Sequence, residues 1–379
     1  MCKQMTFVEI TSNRNNHFNL IRFAAAFTVL FAHSADLIGA KLPLQSVIED
    51  YGFFIGNIAV NVFFVVSGFL VTASLFNRGN IAAFFWARFL RIFPGLWVAT
   101  LLTVFGLGVW ATRLPVDEYL TSPVTHFYLW RNLTIVSGIG RYLPGVFEAS
   151  PCYQIVNASI WTIPIEWRLY EYLALIWVVL SLIPKYRRQA FRIVAPLAAA
   201  TLFVFIVSGH RDNSGAVATY LFFAGSSIFI LGDKIPVMFK AVPALIAALI
   251  VAAFDRQLLF VAYLLVSPLL VLNLAYAPGR VLLNFNKLGD YSYGVYIYAF
   301  PIQQTLIYLK PDISLGALMI YSSVLTSGAA ILSWRLIEKP ALDRKHAFAT
   351  STNRFFSAVF TRFNLKWGGD EQAAAPSVD

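Results

Sequence analysis

The chain has 379 residues, of which 58% are hydrophobic and only 13% charged. That excludes an ordinary soluble domain and indicates an integral membrane protein. A net charge of +10 invites a nucleic-acid reading, but the positive-inside bias of a membrane protein accounts for it, and no nucleic acid is expected as a partner.

Ten apolar runs, each near the 20 residues that a bilayer core requires, are expected as helices over about 18–39, 52–76, 92–110, 161–183, 191–208, 214–232, 236–254, 257–276, 289–309 and 312–335. The expected fold is an all-α integral membrane protein with about ten transmembrane helices. Lys and Arg fall about three to one on the side of the N-terminus, with clusters at Arg78, Arg88 and Arg91, from Lys185 to Arg192, and from Arg335 to Lys366. By the positive-inside rule both termini are then cytoplasmic. No signal-peptide pattern precedes Phe18, so the first helix is expected to remain as an anchor. Residues 111–160 are rich in turn formers and charges and are placed outside, with an interfacial or re-entrant aromatic segment. Residues 1–340 form the transmembrane domain. Residues 341–379 are expected as a basic cytoplasmic tail with little tertiary structure, within which FFSAVFTRF could lie on the inner leaflet.

The first run, FNLIRFAAAFTVLFAHSADL, carries Arg22 at its start and His33 well inside. Eleven positions are close to three whole helical turns, so both side chains share a stripe and stand about 16 Å apart along the axis. An ionisable group inside a membrane is costly to retain, and the stripe reads as one wall of a reaction tunnel. His33 is a candidate general base; the alternative is a structural histidine satisfied by a neighbour. Asp36, one turn on, could orient the imidazole, or simply mark the end of the helix.

In the second run Ser67 and Gly68 interrupt an apolar stretch. Small residues there permit close helix approach, a kink, or backbone exposure to a ligand; a GxSxG elbow for a nucleophilic serine is missing. In NRGNIAAFFWARFLRIFP, Arg88 and Arg91 lie on one helical face. Two guanidiniums so placed suit a phosphate-bearing ligand, and equally would set topology and touch lipid phosphates. The fourth run opens with NASIWTIPIEWRLYEYLALIW and places Glu166 one to two turns below the outer surface. Pro164 frees a helical carbonyl close by. Glu166 could bind or deprotonate a hydroxyl acceptor, or a carboxylate here could pair with Arg168. In LGDYSYGVYIYAFP, Tyr293 and Tyr296 could hydrogen-bond a sugar or stand in an interfacial belt. With two cysteines, five scattered histidines and no HExxH, Walker or GxGxxG pattern, no metal is expected.

Together these motifs resemble the acyltransferase 3 family, membrane-bound O-acyltransferases that modify bacterial surface sugars, over about residues 18 to 340. Arg22 with His33 matches the family's R-x10-H motif, Gly56, Val60 and FFVVSGFL its second-helix signature, and Arg88 with Arg91 its RxxR. SIWTIPIEW, with Trp161 and Glu166, matches its SxWxxxxE segment, and GDYSYGVYIYAFP its late tyrosine-rich helix. Asn19 stands where many relatives have Asp, and Phe300 where many have His. The resemblance, which is to the stand-alone form, implies transfer of an acyl group, usually acetyl, from cytoplasmic acyl-coenzyme A to a carbohydrate hydroxyl at a bacterial inner membrane, as in modification of exopolysaccharide or lipopolysaccharide.

On that resemblance acetyl-CoA is the acyl donor. Arg22, Arg88 and Arg91 hold its nucleotide and pyrophosphate, with Ser67 and Gly68 as further donor-binding positions. His33 acts as base or proton relay, with Asp36 and Glu166, and Trp161, Tyr293 and Tyr296 meet the acceptor, free or lipid-linked. Membrane lipids are the other expected partners; the oligomeric state is left open. Two rivals share much of this pattern: a transporter or flippase of a lipid-linked sugar, and a membrane glycosyl polymerase or ligase. Neither needs a cytoplasmic arginine pair joined by a stripe to a buried histidine.

Overall fold

The computed structural model describes residues 6–7, 16–148, 150, 154–181, 184–279, 283–287 and 289–362. Among them the chain is helical, with no strand beyond one isolated bridge between Thr6 and Pro236. Twelve helices frame it: α1 (Phe18–Leu37), α2 (Ile55–Arg78), α3 (Ile81–Leu101), α4 (Pro123–Thr134), α5 (Ile163–Leu180), α6 (Arg187–Val207), α7 (Ser214–Ile230), α8 (Val242–Ala252), α9 (Arg256–Ala275), α10 (Ser292–Leu309), α11 (Leu315–Ser333) and α12 (Lys345–Arg362).

Among the described residues six stretches are long and apolar enough to cross a membrane: Phe18–Leu37, Ile55–Asn77, Ile81–Ala111, Arg187–Val207, Arg256–Ala275 and Leu315–Ala358. The other four expected positions also hold helices, α5, α7, α8 and α10, but these are shorter or more polar. Many side chains on the outside of the bundle are large and apolar, such as Ile193, Leu197, Val204, Ile250, Ile320 and Val324, as lipid contact requires. This is the make-up of a multi-pass membrane protein.

Local chemistry explains where the helices start and stop. Asn80, Asn213, Asp255 and Ser314 each accept a backbone N–H of the first turn of α3, α7, α9 and α11, the role that short polar side chains play at N-termini. Gly79, with φ of 62°, ends α2 in the left-handed conformation that favours glycine. The strong cap at Asn80 starts α3 eleven residues before the expected 92. Arg88 and Arg91 therefore lie two to three turns inside α3 rather than at its start.

The core is built on α2, which packs against α1, α7 and α9. Its contact with α7 is close. A Cβ at Gly68 would stand 1.9 Å from the Phe222 carbonyl oxygen, and one at Gly225 would stand 2.3 Å from that of Val65. Ser226 Oγ donates to the Gly68 carbonyl at 3.1 Å, and Thr72 Oγ1 to Ser226 Oγ at 2.8 Å. Backbones brought this near gain dispersion contacts that larger residues would forbid.

Residues 155–162 run beside α10 and are held to it by hydrogen bonds. Gln304 donates to the Ile155 carbonyl at 2.8 Å, Asn157 to the Ile297 carbonyl at 2.9 Å, and the Thr162 and Tyr296 hydroxyls meet at 2.7 Å.

The tail also departs from expectation. A π-helical turn, Trp334–Glu338, carries α11 onward, and the helical run continues to α12. There Trp86 of α3 stacks on Phe348 at 4.6 Å and donates to Thr352 Oγ1 at 2.8 Å. Aromatic stacking on a neighbouring helix supplies the packing that low hydropathy conceals. Residues 363–379 of the expected tail lie outside the described residues.

Candidate functional site

A cavity of about 290 Å³ opens where α1, α2, α3, α5 and α10 converge. It brings together Arg22 of α1, Ser67 of α2, Arg88 and Arg91 of α3, Glu166 of α5, and Tyr293 and Tyr296 of α10, seven of the residues singled out in the sequence. Lys345, at the start of α12, joins the lining, as does Asp290. Four cations thus face two carboxylates, Asp290 and Glu166. The surplus is positive, which suits an anionic ligand.

The arginines are held by two acids that the sequence did not single out. Asp290 accepts hydrogen bonds from Arg22 and, at 2.7 Å, from Arg91. Arg91 reaches further to Glu338 at 3.3 Å, and Glu338 accepts from Ser333 Oγ at 2.8 Å. Gly289 sets up this corner. Its φ is +109° and a Cβ there would stand 2.4 Å from the Trp334 indole nitrogen, so only glycine lets the chain turn into Asp290. The Ser292 hydroxyl adds a third hydrogen bond to the Asp290 carboxylate beside those of Arg22 and Arg91. Asp290 lies within the quoted GDYSYG motif, which was the signal for it. Glu338 offered only its place beside the end of the last apolar run.

Glu166 sits in a small polar cluster. Ser67 Oγ donates to its carboxylate at 3.2 Å, Tyr170 OH donates to the same oxygen, and Ser67 and Tyr170 lie 3.0 Å apart. The Arg88 guanidinium stands 5.9 Å from the Tyr170 ring centroid, within cation–π range. Arg91 lies 5.3 Å from the Tyr293 ring. The hydroxyls of the two late tyrosines are already engaged: Tyr293 donates to the Ile92 carbonyl at 2.7 Å, and Tyr296 meets Thr162. Tyr170, one turn after Glu166, is a further residue of the site that helical spacing could have found.

Four residues singled out in the sequence fall elsewhere. Gly68 faces α7, where its missing side chain admits the Phe222 backbone; it is a packing residue and not a lining one. His33 is half-buried and lies outside the cavity, its ring in edge-to-face contact with Phe300 at 5.2 Å. Phe300 is the position where many relatives of the resembling family have histidine. Asp36 is exposed and makes no hydrogen bond to His33 among the described residues; its two readings are a partner for the imidazole and a marker of the helix end, and it stands one residue before the last of α1. The helical stripe itself persists, because α1 is unbroken from Arg22 to His33. Trp161 lines a second and wider cavity of about 850 Å³. The two cavities share a wall: Thr162, Ile163 and Glu166 face the first, while Trp161, Pro164, Ile165 and Arg168 face the second.

This arrangement can bind a phosphate-bearing molecule through its guanidiniums and present it to a half-buried carboxylate, Glu166. Comparisons with known proteins place the chain in a family. Residues 15–336 match the family described as acyltransferase domain. The chain is 28% identical over 349 residues to an O-acetyl transferase of Shigella phage Sf6, covering 88% of this chain and 97% of that one. It is 26% identical over 364 residues to nodulation protein 10 of Rhizobium leguminosarum bv. viciae, covering 88% and 95%. No solved structure gives a significant match.

Proposed function

The chain belongs to the acyltransferase domain family, and from that premise we propose that it transfers an acetyl group from acetyl-CoA, entering from the cytoplasm, to a hydroxyl of a carbohydrate on the far side of a bacterial inner membrane. The observation that carries this reading is the single cavity in which Arg22, Arg88, Arg91 and Lys345 meet the Glu166–Ser67–Tyr170 cluster. The cations bind the phosphates of the coenzyme. Arg22 and Arg91 are fixed for this by Asp290, so little side-chain freedom is lost when the ligand arrives. The name of one relative, an O-acetyl transferase, supports acetyl as the group moved.

In the reaction the acceptor hydroxyl oxygen attacks the thioester carbonyl carbon. A C–O bond forms, the C–S bond breaks, and coenzyme A leaves as a thiolate that takes up a proton. The hydroxyl proton passes to a base. We assign that role to His33, on the same stripe of α1 as Arg22 and about 16 Å further along the axis. Glu166 positions the reacting groups from the cavity side. General-base help is typically worth about 10²–10⁴-fold.

The test is reconstitution in lipid nanodiscs with acetyl-CoA and a glycan extract of the host cell. The expected result is ester formation with release of free thiol, lost in His33→Ala while acetyl-CoA binding persists. Normal acetylation by His33→Ala would remove the base assignment. Absence of acetyl-CoA binding by the unaltered protein would remove the whole reading.

A further inference from the structure

The second cavity is unlike the first. Arg131, Arg141 and Arg168 line it together with Phe127, Tyr142 and Trp161, and no acidic residue takes part. Among the described residues none of these three arginines makes an ion pair. Arg131 stacks at 4.2 Å over Phe127, and its Nε has no partner there. Arg168 is exposed and reaches only the Val136 carbonyl, at 3.4 Å. Three guanidiniums with no countercharge in one concavity are mutually repulsive, and an anion relieves that repulsion. The flanking rings offer flat apolar faces on which the C–H face of a sugar can rest.

The surroundings are apolar as well. Val124 is 46% exposed, Phe127 52% and Trp130 67%, so the arginines are set among side chains suited to a lipid environment. The cavity also lies away from the donor mouth. Trp97, six residues after Arg91 on α3, donates to the Leu133 carbonyl at the end of α4. The α4 layer therefore begins about 9 Å further along α3 than the arginines of the first cavity.

We propose that this second cavity is the acceptor site, and that it takes a sugar bearing an adjacent phosphate group. The proposal rests on the acyltransferase reading given above. A sugar seated on Trp161 with its phosphate among Arg131, Arg141 and Arg168 lies against the same helical turn that carries Glu166 on its other side. A neutral sugar would leave the guanidiniums unpaired. The phosphate can come from two sources, the diphosphate of a lipid carrier or a phosphate within the glycan itself.

The experiment uses the full chain in nanodiscs of zwitterionic lipid, with three probes: a prenyl-diphosphate-linked N-acetylglucosamine, glucose 1-phosphate and methyl glucoside. Binding is read by calorimetry in the unaltered protein, in Arg131→Gln combined with Arg168→Gln, and in Arg141→Gln alone, whose exposed side chain leaves the fold undisturbed. Phosphate-bearing probes should bind, and each lost charged contact should weaken them about tenfold, with acetyl-CoA affinity unchanged. Tighter binding of the prenyl-linked probe assigns the lipid carrier; tighter binding of glucose 1-phosphate assigns a phosphate of the glycan. The proposal is overturned if methyl glucoside binds as well as the charged probes, or if the substitutions leave charged-probe binding intact. Failure of acetyl-CoA to bind the unaltered protein, with arginine-dependent probe binding retained, would remove the acyltransferase reading and leave the phosphate site standing.

Discussion

Arg91 and Asp290 meet at 2.7 Å although 199 positions of chain separate them. The same carboxylate also takes Arg22, so one acid holds two cations of the cavity mouth. The cluster is half-buried, so removing its acid leaves two cations uncompensated at a cost below the about 3–5 kcal/mol typical of a fully buried pair. Asp290→Asn should therefore lower the unfolding temperature of the detergent-solubilised protein by several degrees. An unchanged unfolding temperature would show that the arginines are held by something else.

Arg88 lines the cavity beside Tyr170 and takes no part in the ion pairs to Asp290 and Glu338. Arg88→Ala thus tests ligand binding without breaking that cluster. Acetyl-CoA affinity should fall about tenfold and lose part of its salt dependence. Cysteine-labelling of loop residues should show the same membrane sidedness as before. An altered sidedness with unchanged affinity would mean that this arginine only orients the chain.

His33 and Glu166 separate two roles. His33→Ala should reduce transfer by about 10²–10⁴-fold and leave acetyl-CoA affinity untouched, since the ring lies outside the cavity. Glu166→Gln keeps the hydrogen bond from Tyr170 and should lower the rate less, while shifting the apparent KM for both substrates. If the glutamine variant is the more severely impaired and the alanine variant is active, the base is Glu166.

Trp86 clasps α12 through Phe348 and Thr352. Trp86→Ala should loosen that helix, read as faster limited proteolysis between Lys345 and Thr352 with the remaining fragments still resistant. Unchanged cleavage would mean that the helical run from Leu315 carries α12 without the clasp.

Much of this was legible because membrane helices announce themselves locally. Apolar runs and short polar separators located the helices, and Asn80, Asp255 and Ser314 are capping residues visible in the sequence. Arg22, Ser67, Arg88, Arg91 and Glu166 converge because each stands at a regular spacing on a helix whose polar side must turn inward. The partners were hidden for a different reason. Arg91 finds Asp290 and Glu338 only when helices distant in sequence pack, and no periodicity encodes that. Gly68 was ambiguous for the same cause, since a missing side chain fits a ligand and a neighbouring helix equally. The end of α12, which falls within FFSAVFTRF, was readable as an amphipathic helix, but its packing on α3 escaped because the segment is polar and the clasp is a single tryptophan distant in sequence.

The turn from Trp161 to Arg168, with one side toward each cavity, bears on the order of events. Donor and acceptor would enter through different doors, so neither must depart before the other arrives. Initial-rate lines measured at several fixed acceptor concentrations should intersect, and radiolabelled acetyl should not stay on the protein when acceptor is withheld. Parallel lines, or a labelled protein, would point instead to a ping-pong sequence in which the enzyme itself carries the acetyl group between the two sides.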